Sequence, residues 1–535
     1  MLRRTRWFAA TLAVASFAWG QGGGRGRGAQ QPGSQQTGSP AAEPAGGRGG
    51  AAAGAGSDDF YNYDTRASGA TPIPETASSE THQKISLNGE TLAYTARAGF
   101  LALHNATTGG SEAHLFYTSY SKEGANDIAG RPLLMFFGGA PGMAAAWQEF
   151  GGLGPKRAKL DGTWTDNPNT MLGQADLVFV NPLGTGFSRA DQPNRASSFW
   201  TSANDVASLG EFVRAYLDRN KRRASPLYLA GEDRGTGRVA GLAAYLSEHD
   251  IPVRGVVLLN MAPSADSTAG DAQYLTMLPS LVMTAWVHKK LSPELNAMSA
   301  EQIAGQARQF ASREYLHALY KGDRMTAEER AKAIADLSRL TGLPKAFVVS
   351  NDLRISLDRF GAELMREQHG ALSLSDARVA GFAPTLGGRG RGGFFAPPPS
   401  PIDLNLSSRS GPFLGAYEAY LQQELGFTAP GDRIYYLDHG GVAGFTAASD
   451  DASLANALAR DPGMGLFVAL DYYDLGAPFY AEEFTLAHLS VSSGVRAHNI
   501  TLGHYEAGEM TYLDDQELTK LHRDLASFLS QPVRK

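Results

Sequence analysis

The chain has 535 residues, 43% hydrophobic and 10% aromatic, enough apolar material for a sizeable core. Its net charge of −6 leaves no electrostatic footprint for nucleic acid or for acidic membrane surfaces. It contains no cysteine, which excludes disulfides, thiolate catalysis and a cysteine-ligated zinc.

Residues 1–20 open with the basic run Met1-Leu-Arg-Arg-Thr-Arg6 and continue through a short apolar stretch, 7–19. That pattern reads as a secretory signal peptide, with Ala18 or Gly20 suited to small-residue cleavage and too little length to span a bilayer comfortably. The expectation is an exported protein, periplasmic or secreted, without membrane attachment after cleavage. No cysteine follows the cleavage region, so a lipoprotein anchor is excluded. Residues 21–71 are Gly, Ala, Gln and Pro-rich and cannot bury enough surface to offset chain entropy, which predicts a disordered linker.

Folding is expected from about Pro72. Residues 82–96 and 112–121 alternate like antiparallel strands. Short apolar runs follow at 132–137, 175–181, 227–230, 253–259, 466–470 and 500–503, separated by helical or Gly/Pro-rich stretches. Helical periodicity is clear over 203–220 and 239–246. Strands alternating with helices predict a doubly wound, mostly parallel sheet covered on both faces. The core is expected in two parts, 72–265 and 432–535. Between them, 266–431 is rich in helix formers, with amphipathic helices over 325–340 and 352–367. It reads as a helical cap over the carboxyl ends of the strands, interrupted by a Gly/Arg/Pro-rich loop at 386–401.

The most informative motif is Gly231-Glu-Asp-Arg-Gly235, between a strand-like run and an apolar helix. Strand, tight glycine turn and helix form the setting of a Gly-x-Ser-x-Gly nucleophile elbow, with Asp233 where the serine would stand.

Four further motifs occur in order. Arg131-Pro-Leu-Leu-Met-Phe-Phe-Gly-Gly-Ala-Pro-Gly142 resembles an Asn-Gly-Gly-Pro-Gly oxyanion loop, and 176–188 is similar to an Asp-Pro-x-Gly-Thr-Gly-Phe-Ser segment. Leu470-Asp-Tyr-Tyr-Asp-Leu-Gly-Ala-Pro478 looks like a strand end carrying an acid, and Tyr505-Glu-Ala-Gly-Glu-Met510 stands where Glu-Ala-Gly-His-Met is expected. Together these resemble the serine carboxypeptidase family, particularly its bacterial exported branch. The resemblance implies an α/β-hydrolase fold with a helical cap insertion and release of C-terminal residues from peptides, without metal or cofactor.

It also implies site residues: Asp233 at the nucleophile position, Asp474 at the acid and Glu509 at the base. Gly139 and Arg234 stand at the oxyanion amides, and Glu232 and Phe137 at substrate-binding positions. Serine-type proteolysis needs a group that takes a proton near neutral pH and returns it to the leaving amine. Carboxylates at both 233 and 509 remove that relay. Phe137 replaces a substrate-binding asparagine, and Ala140 interrupts the oxyanion spacing.

The expectation is therefore a pseudo-peptidase acting by binding, with peptide or protein C-termini as candidate partners. The alternative is an active carboxypeptidase or altered hydrolase using Asp233 or another catalytic group. Glu232, Asp233, Asp474 and Glu509 should converge beside Arg234. An ion pair, a hard cation such as calcium, or a basic ligand are the open ways to neutralise them. His504 is expected along a strand with an ordinary partner, His439 lies in a glycine-rich loop, and Ser188 is expected to be structural.

Overall fold

The computed structural model describes residues 78–531, except 88, 106, 126, 140, 141, 160, 234, 369, 383–403, 432 and 438–449. The signal peptide, the 21–71 linker and the 386–401 loop lie outside the described residues.

One ten-stranded sheet organises the chain. Its strands are β1 (Ser78–Leu87), β2 (Glu90–His104), β3 (Ser111–Lys122), β4 (Leu133–Phe136), β5 (Asp176–Val180), β6 (Arg189–Ala190), β7 (Leu227–Glu232), β8 (Gly255–Leu259), β9 (Gly465–Asp471) and β10 (Ile500–Tyr505). Their order is β1-β2-β3-β5-β4-β7-β8-β9-β10, with β6 on β3. The run from β5 to β10 is parallel; the β1, β2 and β3 edge is antiparallel. This is the α/β-hydrolase arrangement, a mostly parallel sheet wound with helices.

The central strands are apolar without interruption because both faces are covered. Successive side chains still alternate between two cores. Leu133, Met135, Val256 and Leu258 pack with helices α1 (Ser202–Arg219) and α2 (Gly235–Glu248). Leu134, Phe136, Val257 and Leu259 pack into the opposite cluster. Helices α3 (Ala272–Val287), α4 (Ala300–Phe310) and α5 (Ala327–Thr341) of the insertion join the first cluster. Helix α6 (Leu404–Gln423) and the C-terminal α7 (Asp515–Leu529) cover the second.

Two expectations need correcting. Residues 82–96 are not one strand but parts of the β1–β2 hairpin, turned at Gly89 with φ 84. The alternating pattern continues on both sides of the turn, so periodicity alone hides it. The helix expected over 352–367 is shorter, Leu357–Leu364, because Asp352 and Leu353 adopt φ of 49 and 64 and break the helical path.

Candidate active site

Strands β4, β7, β8, β9 and β10 are parallel neighbours, so their carboxyl ends lie along one edge. In open α/β sheets that edge is where ligands bind. The loops leaving β7, β8, β9 and β10 carry Asp233, Asn260, Asp474 and Glu509, respectively.

Between the end of β7 at Glu232 and the start of α2 at Gly235 the chain turns within two residues. Asp233 has φ 47, the left-handed region that is unfavourable for a residue with a Cβ. Hydrogen bonds hold it there. Its N–H donates to Leu259 O at 3.0 Å, and its carbonyl accepts from Thr236 N at 3.0 Å and Thr236 Oγ1 at 2.5 Å.

Glycines permit the approach. A Cβ on Gly231 would sit 2.7 Å from Gly235 O, and one on Gly235 would sit 2.6 Å from both Gly138 O and Gly139 O. Strand, helix and the 137–139 loop thus meet backbone to backbone, as the elbow reading anticipates, while the Asp233 side chain stays half-buried.

The 137–139 loop has its own anchor. Arg238, buried in α2, donates to Asp205 Oδ2 at 2.6 Å, and its Nη1 donates to Phe137 O at 3.1 Å and Gly139 O at 3.0 Å. The Phe137 side chain is fully buried in the core with Leu133 and Met135. Ala140 and Arg234, the latter an expected oxyanion residue, lie outside the described residues.

Behind Asp233 stand buried acids. Glu232 Oε2 accepts from Gln148 Nε2 at 3.0 Å and from the Tyr512 hydroxyl at 2.8 Å. Asp474 Oδ1 accepts from the amides of Gly476 at 2.7 Å and Ala477 at 3.0 Å, and Oδ2 accepts from Asn260 Nδ2 at 2.9 Å. Asp471 accepts from Thr511 Oγ1 at 2.8 and 2.7 Å, and Glu482 from Met261 N at 2.7 Å.

All four are buried, and burial is the main reason their carboxyls are hard to ionise. Glu232 is pushed up to about 8, with Asp233 and Asp474 adding to the effect and Tyr512 and Gln148 opposing it. Asp474 is raised to about 7 by burial and Asp233, against the hydrogen bonds from Ala477 and Asn260. Asp471 and Glu482 are held well above the carboxylate range. At neutral pH Glu232 is therefore mainly a hydrogen-bonding acid, and Asp474 is close to half-protonated. Among the described residues no group of three or more His, Asp or Glu side chains is arranged to hold a metal ion.

Glu509, half-buried, sits in the loop after β10 just before Met510 at φ 65. A segment of the insertion grips this loop. Ser375 O accepts from Glu509 N at 2.6 Å, Ala377 N donates to Tyr473 O at 2.8 Å, and Leu475 N donates to Leu374 O at 2.9 Å. Arg378 then pairs with Asp376 at 2.8 Å and Asp514 at 3.1 Å, and donates to Glu506 O at 2.9 Å. The 374–378 strap therefore binds the Asp474 and Glu509 loops to each other. Nothing in the sequence motifs marked it, nor Gln148, Asn260, Glu482 or Tyr512; only Asp471 lay inside a quoted motif.

The histidines are engaged elsewhere. His504 Nε2 pairs with Glu483 Oε1 at 2.6 Å, and Glu483 is also paired with Arg308. His288 Nε2 bonds Ala377 O at 2.7 Å and His114 Nδ1 bonds Asp191 at 2.7 Å. His439 lies outside the described residues. Ser188 is buried, donating to Asn181 O at 2.6 Å and accepting from Phe116 N at 2.8 Å. That is a structural hydroxyl.

Comparison with known proteins agrees with this layout. Residues 88–331 match the model of the serine carboxypeptidase family. A serine carboxypeptidase family member from Dictyostelium discoideum is 28% identical over 197 residues, 36% of this chain and 44% of that protein. Serine carboxypeptidase-like 36 of Arabidopsis thaliana is 30% identical over 137 residues, 24% of this chain and 28% of that protein. The chain thus spans less than half the length of these curated relatives. Among solved structures, a prohormone-processing carboxypeptidase from Saccharomyces cerevisiae shares the fold with TM-score 0.52 at 14% identity, over 82% of this chain and 92% of that one. Residues 88–331 are thus similar to the serine carboxypeptidase family, and the sheet topology is that of an α/β hydrolase.

Proposed function

We propose that this chain is an exported pseudo-peptidase of the family, which binds peptide or protein C-termini without cleaving them. The observation that carries this reading is Asp233 at φ 47 on the elbow, with Glu509 in the loop at the base position. Acyl transfer to a hydroxyl needs a nucleophile that loses its proton to an adjacent base, which then protonates the leaving amine. Here the nucleophile position carries a carboxylic acid, the base position another, and His504 is committed to Glu483. A carboxylate attacking an amide would have to form an anhydride and would still lack that proton.

The scaffold supports binding. Loop 137–139 is pinned by Arg238, which holds that backbone against α2 beside Asp233. Export rests on the signal-peptide pattern of 1–20; among the described residues no helix is long and apolar enough to cross a membrane.

The test combines turnover and binding. Release of C-terminal residues from a peptide library is followed between about pH 4 and 8 for the wild type, Asp233→Ala and the Asp233→Ser/Glu509→His double variant. The expected result is no release by the wild type, with calorimetric binding of peptides that Asp233→Ala alters. Wild-type release abolished by Asp233→Ala would overturn the reading in favour of an altered hydrolase. Absence of both release and binding would remove the binding role.

A further inference from the structure

Next to the site, but outside it, a carboxyl group is buried among tyrosines. The single helical turn Ala146–Gln148 runs into a π-helical turn, Glu149–Leu153, a geometry that recurs near functional sites. Glu149 is 1% exposed. Its Oε1 accepts from the Tyr120 hydroxyl of β3 at 2.5 Å, and its Oε2 from the Tyr417 hydroxyl of α6 at 2.7 Å. Tyr120 shares a 2.9 Å hydrogen bond with Tyr420, three residues along α6 and so on the same helix face. Tyr417 is hydrogen-bonded to Tyr435. Tyr435 donates to Asn181 Oδ1 at 3.4 Å, and that oxygen also accepts from Ala145 N at 2.8 Å.

The groups facing this carboxyl are nearly all hydroxyls: Thr118 and Tyr120 from β3, Tyr417 and Tyr420 from α6, and Tyr435 beyond it. Tyr94 of β2, Glu418 and Glu424 stand one step further out, where they act on Tyr420 and Tyr435, and Glu424 lies 3.9 Å from Lys156 Nζ.

We propose that Glu149, Tyr120 and Tyr417 form a pH-operated clasp that fastens α6 to the sheet while the carboxyl is protonated and loosens it when the carboxyl ionises. Every member of the chain is a hydroxyl or a carboxyl. A neutral Glu149 therefore donates its own proton into the chain, and the tyrosines reorient to accept. An ionised Glu149 is a buried charge offset only by hydroxyl dipoles. Burial raises its carboxyl to about 7, against the opposing hydrogen bonds from Tyr120 and Tyr417. The folded value lies above the unfolded one, so the stabilisation is complete below the ordinary carboxylate range and is lost as pH rises through about 7. The clasp also reaches the site, since the preceding residue, Gln148, donates to Glu232.

Hydrogen exchange on the full chain at about pH 6 and about pH 8, corrected for intrinsic rates, tests this in peptides covering 409–423. The expected wild-type protection there is roughly tenfold greater at the lower pH. In Glu149→Gln it should be equal at both, and in Glu232→Gln the wild-type difference should persist, which separates the clasp from the site acids. Equal wild-type protection at both pH values, or a difference that survives in Glu149→Gln, would overturn the proposal. If Glu149→Gln does not fold, Tyr417→Phe decides: it removes a donor to the ionised carboxyl, so a larger difference supports the clasp, and an unchanged or smaller one refutes it.

Discussion

Asn260 and Asp474 leave the ends of adjacent strands, 214 residues apart in sequence, and Asn260 Nδ2 donates to Asp474 Oδ2 at 2.9 Å. Asn260 has φ 52, a conformation asparagine tolerates better than most residues, and its N–H donates to Ala469 O at 3.1 Å. Asparagine thereby joins β8 to β9 and supplies a donor to a buried acid. Asn260→Leu should leave that oxygen unsatisfied and cost about 1–3 kcal/mol. Urea titration reads this as a lower midpoint at unchanged slope. A midpoint equal to the wild type would show that the bond contributes nothing.

The buried acids predict an inverted pH profile. Glu232 rises from 4.5 to about 8 and Asp474 from 3.8 to about 7, so between these limits the folded chain holds protons that the unfolded chain has released. Stability is fully present below the unfolded values and falls as pH climbs through about 7 to 8, by an amount on the order of a few kcal/mol. Denaturant midpoints measured from about pH 5 to 9 should decline steadily, and Glu232→Gln should flatten part of the slope. A rising profile would contradict the protonated cluster.

At the elbow, side chain and backbone pull in different directions. Asp233 occupies a left-handed conformation and raises the cost of ionising Glu232 and Asp474. Asp233→Gly removes both penalties and should raise stability by about 1 kcal/mol, seen as a higher Tm. A lower Tm would mean that the Asp233 side chain makes interactions worth more than the strain.

Gly235 tests the close approach. A methyl there would lie 2.6 Å from two carbonyl oxygens of the 138–139 loop, so Gly235→Ala should push that loop away at a cost of about 1–3 kcal/mol. On the proposed function, peptide binding should weaken with it. Gly305→Ala, in open space on α4, is the matched control and should be neutral or better.

Much of this was legible because it is local. An elbow is five consecutive residues, and the order of the motifs around Asp233, Asp474 and Glu509 carries the fold with it. The central parallel strands were readable as apolar runs, since burial on both faces leaves few polar positions to blur them. What escaped notice depends on contacts across the chain. The 374–378 strap consists mainly of main-chain hydrogen bonds, which any sequence can make, so no side-chain pattern marks it. Glu149 and Tyr417 are 268 residues apart and read as an ordinary acid and an ordinary core aromatic until the fold joins them.

The sharp bend at 231–235 is held by main-chain hydrogen bonds and by close glycine contacts at 231 and 235. A chain built this way can exchange the reactive group at its apex while the surrounding framework stays in place. Loss of one chemistry, and trial of another, are then single-codon events rather than reconstructions, and restoring a hydroxyl there requires no new architecture.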